Sequence, residues 1–224
     1  MRCFCLVTTL VLVSLLAGCS HQHICGPTCC PKCCEAQATT AQSEVRDGLS
    51  AAQWAAKAEG ADHWTRQEVI LKLASFGPSS LCYATDWMGS EDAGARYAGA
   101  ELARMIGSPA GPAAPALRTL LRDKDPILRT GALRALATFA KDDLAPVIHD
   151  LGRALDDGEW QVRYQAARTL ASAGHHAGSE LPHLEHRSHP DPDERVRRAN
   201  ASAFEVVQTA WILYEKARRN RSHK

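Results

Sequence analysis

The sequence has almost no net charge, with 26 Lys and Arg against 25 Asp and Glu in 224 residues. This removes the electrostatic basis for nucleic-acid binding, which depends on counterion release from a basic surface. The apolar run Leu6–Leu16 is also too short to span a bilayer core, which takes roughly 20 residues. Short catalytic signatures are missing. The chain contains no Gly-x-Ser-x-Gly, no Walker loop and no His-Glu-x-x-His. A strained nucleophile elbow, a phosphate-cradling loop and a zinc-peptidase helix of those kinds are thereby excluded.

At the start of the chain, Met1 and Arg2 precede the apolar run, which has the length of a signal-peptide core. "LAGC" follows, residues 16–19. This resembles the lipobox of bacterial lipoproteins, and the resemblance implies cleavage before Cys19 and acylation of that cysteine. Small residues at positions 17 and 18 suit a peptidase that must approach the backbone closely. Several acyl chains anchor stably where one would not. Ser20, rather than Asp, follows the cysteine, which by the common sorting rule of diderm bacteria implies the outer membrane, facing the periplasm. Loss of residues 1–18 removes only Arg2 among the charges and leaves 25 of each sign.

Residues 19–48 read as a lipidated, Cys-rich head and a flexible, disordered tether. His21, His23, Cys25, Cys29, Cys30, Cys33 and Cys34 crowd the head. Thiolates and imidazoles so closely spaced suit a soft-metal site for Zn or Cu. Outside the cytoplasm the same cysteines are open to disulfide formation, within or between chains. An unspecialised spacer is a third reading. Cys82 stands far downstream between apolar neighbours and is expected to be a buried thiol.

From residue 49 to 220 the pattern is helical and repeated. Five segments align on an arginine, at Arg66, Arg96, Arg129, Arg163 and Arg197, spaced by 30, 33, 34 and 34 residues. Four positions after each arginine come Ile70, Ala100, Leu133, Ala167 and Ala201. Seven positions after come Leu73, Ala103, Leu136, Leu170 and Phe204. Such spacing places both columns on one helix face. Shorter helical patterns lie between the segments, in "APALRTLLRD", "APVIHDLGRALDD" and "LPHLEHRS". Asp125-Pro126 and Asp191-Pro192 read as an N-cap followed by a first-turn proline. The expected fold is therefore all-α, an α-solenoid of about five helical hairpins. Residues 49–60 are expected to cover its first end. "FEVVQTAWILYEKARRN", residues 204–220, is expected to extend the last helix, with Trp211, Leu213 and Tyr214 folding back as a cap over that end.

The strongest segments, "DDGEWQVRYQAARTLASAG" and "DPDERVRRANASAF", resemble the HEAT-like repeats of the PBS-lyase family. The resemblance implies that an Asp and an Arg six residues apart form ladders between successive repeats. Asp123/Arg129, Asp157/Arg163 and Asp191/Arg197 keep that spacing, whereas the first two repeats lack the Asp. Among HEAT-like enzymes, the deoxyhypusine hydroxylases use His-Glu dipeptides as di-iron ligands, and this chain has no His-Glu. Nothing in it identifies a bilin pocket, and HEAT-like DNA glycosylases are excluded by charge and expected location.

The expectation is therefore a protein that is no enzyme and needs no cofactor: a membrane-anchored scaffold in the cell envelope that binds a protein partner and not nucleic acid. On the polar face of the repeat helices, Tyr97, Glu101, Arg104, Arg134, Tyr164, Arg168 and Arg198 form a Tyr and Arg stripe. Such residues dominate interface energetics. The alternative is an envelope metal-binding protein, using the head or the cluster His175, His176, His183, His186 and His189.

Overall fold

The computed structural model describes residues 44–58 and 60–222. The signal segment, the lipidation residue Cys19 and the metal candidates His21 to Cys34 lie outside the described residues. A small ribbon comes first, β1 (Val45–Arg46) paired antiparallel with β2 (Leu49–Ser50). Helices follow: α1 (Ala51–Ala56), α2 (His63–Ala74), α3 (Leu81–Met88), α4 (Ala93–Ile106), α5 (Ala114–Leu120) and α6 (Pro126–Leu136). The rest are α7 (Lys141–Leu144), α8 (Ile148–Arg153), α9 (Trp160–Ala173), α10 (Leu181–Arg187) and α11 (Glu194–Ser222).

The helices pair as antiparallel neighbours: α1 with α2, α3 with α4, α5 with α6, α8 with α9, and α10 with α11. The second members, α2, α4, α6, α9 and α11, lie side by side in one layer. The chain is an all-α solenoid of stacked hairpins. Leucines fill the space between layers; Leu102, Leu117, Leu133, Leu136, Leu151, Leu155, Leu170 and Leu184 are fully buried. Each such side chain contributes about 1.5–3 kcal/mol relative to exposure. At Gly99 the backbones of α3 and α4 touch, and a Cβ there would sit 2.5 Å from the Ala84 carbonyl oxygen.

The two apolar columns are buried in α2, α4, α6 and α9 but not in α11. Ile70, Ala100, Leu133 and Ala167 are buried, whereas Ala201 is exposed and Phe204 half-buried. In α11 the buried residues are Val196, Asn200, Ala203 and Val207. Helix α11 packs on α9, α10 and residues 174–180, and its buried stripe is the one turned towards them.

An arginine–aspartate ladder ties the repeats together. Arg129 donates through Nε and Nη2 to the Asp157 carboxylate, both at 2.7 Å. Arg163 does the same to Asp191 at 2.7 and 3.0 Å, and Arg96 reaches Asp123 at 2.9 Å. Each arginine also donates Nη1 to the backbone six residues before it: Arg129 to Asp123, Arg163 to Asp157, Arg197 to Asp191. The fixed spacing thus has a mechanical origin. One guanidinium clamps its own inter-helix turn and the aspartate of the next.

This arrangement corrects the expected role of Asp191. Helix α11 begins at Glu194, two residues past Pro192, and the carboxylate capping it is Asp193, which accepts from the Arg195 N–H at 2.9 Å. Asp191 is committed to Arg163 and to the Asp193 N–H. At the earlier turn the expectation holds, with Asp125 as N-cap of α6 and Pro126 in its first turn.

Two ends differ from expectation. Residues 45–50 form a ribbon where a tether through residue 48 was expected; the Trp54 indole donates to the Arg46 carbonyl at 2.9 Å, and Lys72 pairs with Asp47. At the other end α11 is extended as expected, to 29 residues, but no segment of it turns back as a cap. Trp211 lies against Gly178, and Tyr214 stacks on His175 with ring centroids 4.3 Å apart, while Ile212 and Leu213 face outward. No break residue interrupts "FEVVQTAWILYEKARRN", so the helix continues rather than turning.

Candidate interaction face on the second helices

The clamped ladder fixes the rotation of each second helix, so equivalent positions face the same way. Positions two before, one after and five after the ladder arginine line the grooves between neighbouring second helices. Between α4 and α6 lie Tyr97, Ile127, Thr130, Gly131 and Arg134, with Gln161 of α9 beside them. Between α9 and α11 lie Tyr164, Arg168, Arg195, Arg198 and Ser202. The structure therefore brings the sequence-nominated residues onto one face, though in different states.

Glu101 and Arg104 satisfy each other through two hydrogen bonds, at 2.6 and 2.9 Å. Arg198 pairs with Glu194 at 2.5 Å. The Tyr97 ring rests against Gly131 of α6, where a Cβ would find it at 3.5 Å. Tyr164 is half-buried, with the Arg168 guanidinium 5.7 Å from its ring centroid. Arg134 and Arg168 are exposed, and among the described residues neither forms an ion pair. These two are unneutralised cations in adjacent repeats.

Sequence reading overlooked the position two before the arginine. It holds Trp64, Gly94, Ile127, Gln161 and Arg195. Trp64 is 80% exposed and Ile127 64%. Leu71, the first-repeat equivalent of Arg134 and Arg168, is 52% exposed. At the other end the Arg195 guanidinium lies 3.5 Å from the Trp160 ring centroid and is bound by Asp193. The face is thus apolar towards α2 and basic towards α9 and α11. The repeat alignment itself carried that signal, one column away from those chosen.

The histidine cluster does not converge. His176 faces Asp142 at 2.8 Å, and His183 faces Asp156 at 3.1 Å. His189 contacts Ser188 at 2.9 Å. His175 is stacked on Tyr214; burial and then the neighbouring His176 lower its pKa. Among the described residues no group of three or more His, Cys, Asp or Glu is placed to hold a metal ion. Cys82 is buried in α3.

On the opposite layer, buried Asp150 receives Arg118, Arg122 and Arg153. Burial alone would raise its carboxyl, but the three guanidiniums outweigh that and lower its pKa. The same competition lowers Asp191, where burial is opposed by Arg163 and the Asp193 N–H. Asp123 follows, opposed by the Asp125 N–H and Arg96. These groups read as structural.

The HEAT-repeat family description matches residues 114–205. The match begins at α5, where the aspartate of the ladder first appears six residues before its arginine. No curated protein matches the chain in sequence. Among solved structures, it is similar to one of the complex of CpcE and CpcF of phycocyanin lyase from Nostoc sp. PCC7120, with TM-score 0.60 and 16% identity, covering 68% of this chain and 96% of that one. A designed armadillo repeat protein in complex with the peptide (KR)4 is similar at TM-score 0.55 and 15% identity, covering 79% and 92%. An engineered protein matches at TM-score 0.53 and 20% identity, over 74% and 87%. At these identities the likeness is one of fold. The matched residues continue the all-α solenoid formed by the hairpins before residue 114.

Proposed function

We propose that this protein is a non-catalytic scaffold, anchored by lipid at Cys19 in the cell envelope, that binds a partner protein across its second-helix face. One observation carries the binding reading: Arg134 and Arg168 stand exposed and unneutralised beside half-buried tyrosines, in register on adjacent repeats. Tyr and Arg in shallow grooves are the residues from which interfaces draw most of their energy. A fold neighbour that holds a peptide, the designed armadillo protein with (KR)4, supports a binding role for such a layer.

The anchor and the envelope location rest on the apolar run and "LAGC" at residues 16–19. Replacing Cys19 with Ser is expected to move the protein from the membrane fraction to the soluble one; unchanged fractionation would remove the anchor from this reading. A photo-crosslinking residue at position 164 is expected to capture a partner in intact cells. The same probe at exposed Arg122, on the other layer, should not. Equal capture at both positions, or none at 164, would defeat the binding reading. The head offers a second reading, metal handling, supported by two histidines and five cysteines within residues 21–34. Zn or Cu titration of the protein with and without residues 20–34 tests it; no difference in stoichiometry would end it.

A further inference from the structure

Resting on that binding face, the geometry points to the partner's chemistry: we propose that the second helices take an extended peptide segment with carboxylates about three residues apart, followed by apolar side chains. The argument begins with spacing. Arg134 of α6 and Arg168 of α9 occupy the same repeat position, five after the ladder arginine, on helices packed side by side. Packed helices lie about 8–10 Å apart. An extended chain crossing them advances about 3.3 Å per residue. Consecutive helices therefore meet every third residue or so of such a chain.

Charge decides what those residues are. Reading position five across the layer gives Leu71, Glu101, Arg134, Arg168 and Ser202. Glu101 is neutralised by Arg104, so the charges left at this position are the two arginines; exposed Glu159 borders the Arg134 groove, which makes Arg168 the stronger anchor of the pair. Carboxylates match guanidinium forks, and two in register fix the position of the chain. The remaining half of the face selects apolar groups. Trp64, Leu71 and Ile127 are exposed there, and Ile127 borders a groove between α2, α4 and α6 lined by Ile70, Ala98 and Leu128 together with Arg66 and Asp125. The apolar demand lies from α2 to the start of α6 and the acidic one on α6 and α9, so the segment recognised must itself be divided.

A fluorescent peptide tests this by anisotropy against the purified protein. Its two glutamates, three residues apart, are followed at the same spacing by two leucines, with serines between. Saturable binding is expected, weakening with salt as exposed pairs do. It should fall about tenfold or more in the double variant Arg134→Glu, Arg168→Glu, a typical penalty for facing like charges. Leu71→Ser should weaken the same peptide without changing its salt dependence. Circular dichroism of each variant confirms that the helices persist. Equal binding of a lysine-for-glutamate peptide would overturn the proposal. So would equal binding when the glutamates are moved to adjacent positions. Capture of phosphatidylglycerol vesicles, but not the peptide, by the same arginines would overturn it in favour of a membrane surface. Should position 164 crosslink a partner while the peptide fails to bind, the scaffold reading stands and this inference falls. Failure of both removes the face itself.

Discussion

The first and last junctions of the solenoid use the same arginine differently. Between α9 and α11, Arg163 holds Asp191 through two hydrogen bonds, with side chains 10% and 1% exposed. Between α2 and α4, Arg66 approaches Asp92 at 3.3 Å, with exposures of 22% and 58%. The difference lies in the aspartate. Asp191 precedes its own arginine by six residues and sits in the inter-helix turn. Asp92 precedes Arg96 by four and is already the N-cap of α4, accepting from the Gly94 and Ala95 N–H groups. One carboxylate is aimed at the neighbouring repeat; the other is shared. A repeat can therefore stack without the ladder, but the ladder fixes rotation, and rotation places the interaction columns.

Breaking the buried rung is the sharpest test. Asp191→Ala leaves the Arg163 guanidinium buried without its carboxylate and is expected to cost about 3–5 kcal/mol, read from urea unfolding. Asp92→Ala should cost only about 1 kcal/mol, the ordinary loss of a cap. Equal losses would erase the contrast between the junctions.

Packing within a hairpin should follow. Gly99→Ala drives a methyl into the Ala84 carbonyl and the Met88 backbone nitrogen, and overpacking of this kind costs about 1–3 kcal/mol. Thermal unfolding measures it. A loss below the cap value would mean that α3 and α4 can part easily.

Acid sharpens the comparison further. Asp123, Asp150 and Asp191 have folded pKa values below the model-peptide value of 3.8. A depressed carboxyl contributes stability that is present above its unfolded pKa and lost as pH falls through the folded one. Stability should accordingly drop from about pH 4 downward, and loss of helical signal should begin in α4 to α11, which Asp123, Asp150 and Asp191 hold together, before α2. Hydrogen exchange resolved by residue checks this; earlier protection loss at α2 would reverse it.

The smallest effect belongs to the face. Arg168→Ala is expected to change stability by no more than about 0.5 kcal/mol, because the side chain is exposed and makes no ion pair among the described residues. A larger loss in chemical unfolding would make Arg168 part of the framework rather than of a surface.

Much of the solenoid was legible in the chain. Five arginines at near-constant separation, with apolar residues four and seven positions on, require helices of one orientation repeated. Asp125-Pro126 announced its helix correctly. Asp191-Pro192 did not, because the same dipeptide sits where the ladder has first claim on the carboxylate. The histidines from 175 to 189 looked like a cluster only along the chain; folding turns them towards Asp142, Asp156 and Tyr214. On the face, Tyr97 and Arg104 looked as available as Arg134. Only packing shows that the first lies against Gly131 and the second is bound by Glu101.

The sequence alone determined the repeating unit and its handles, because helical period and the six-residue Asp–Arg spacing are local properties of the backbone. Tertiary structure decided which charges remain unneutralised. A guanidinium's partner is set by the neighbouring helix and its rotation, and these exist only once the hairpins have stacked.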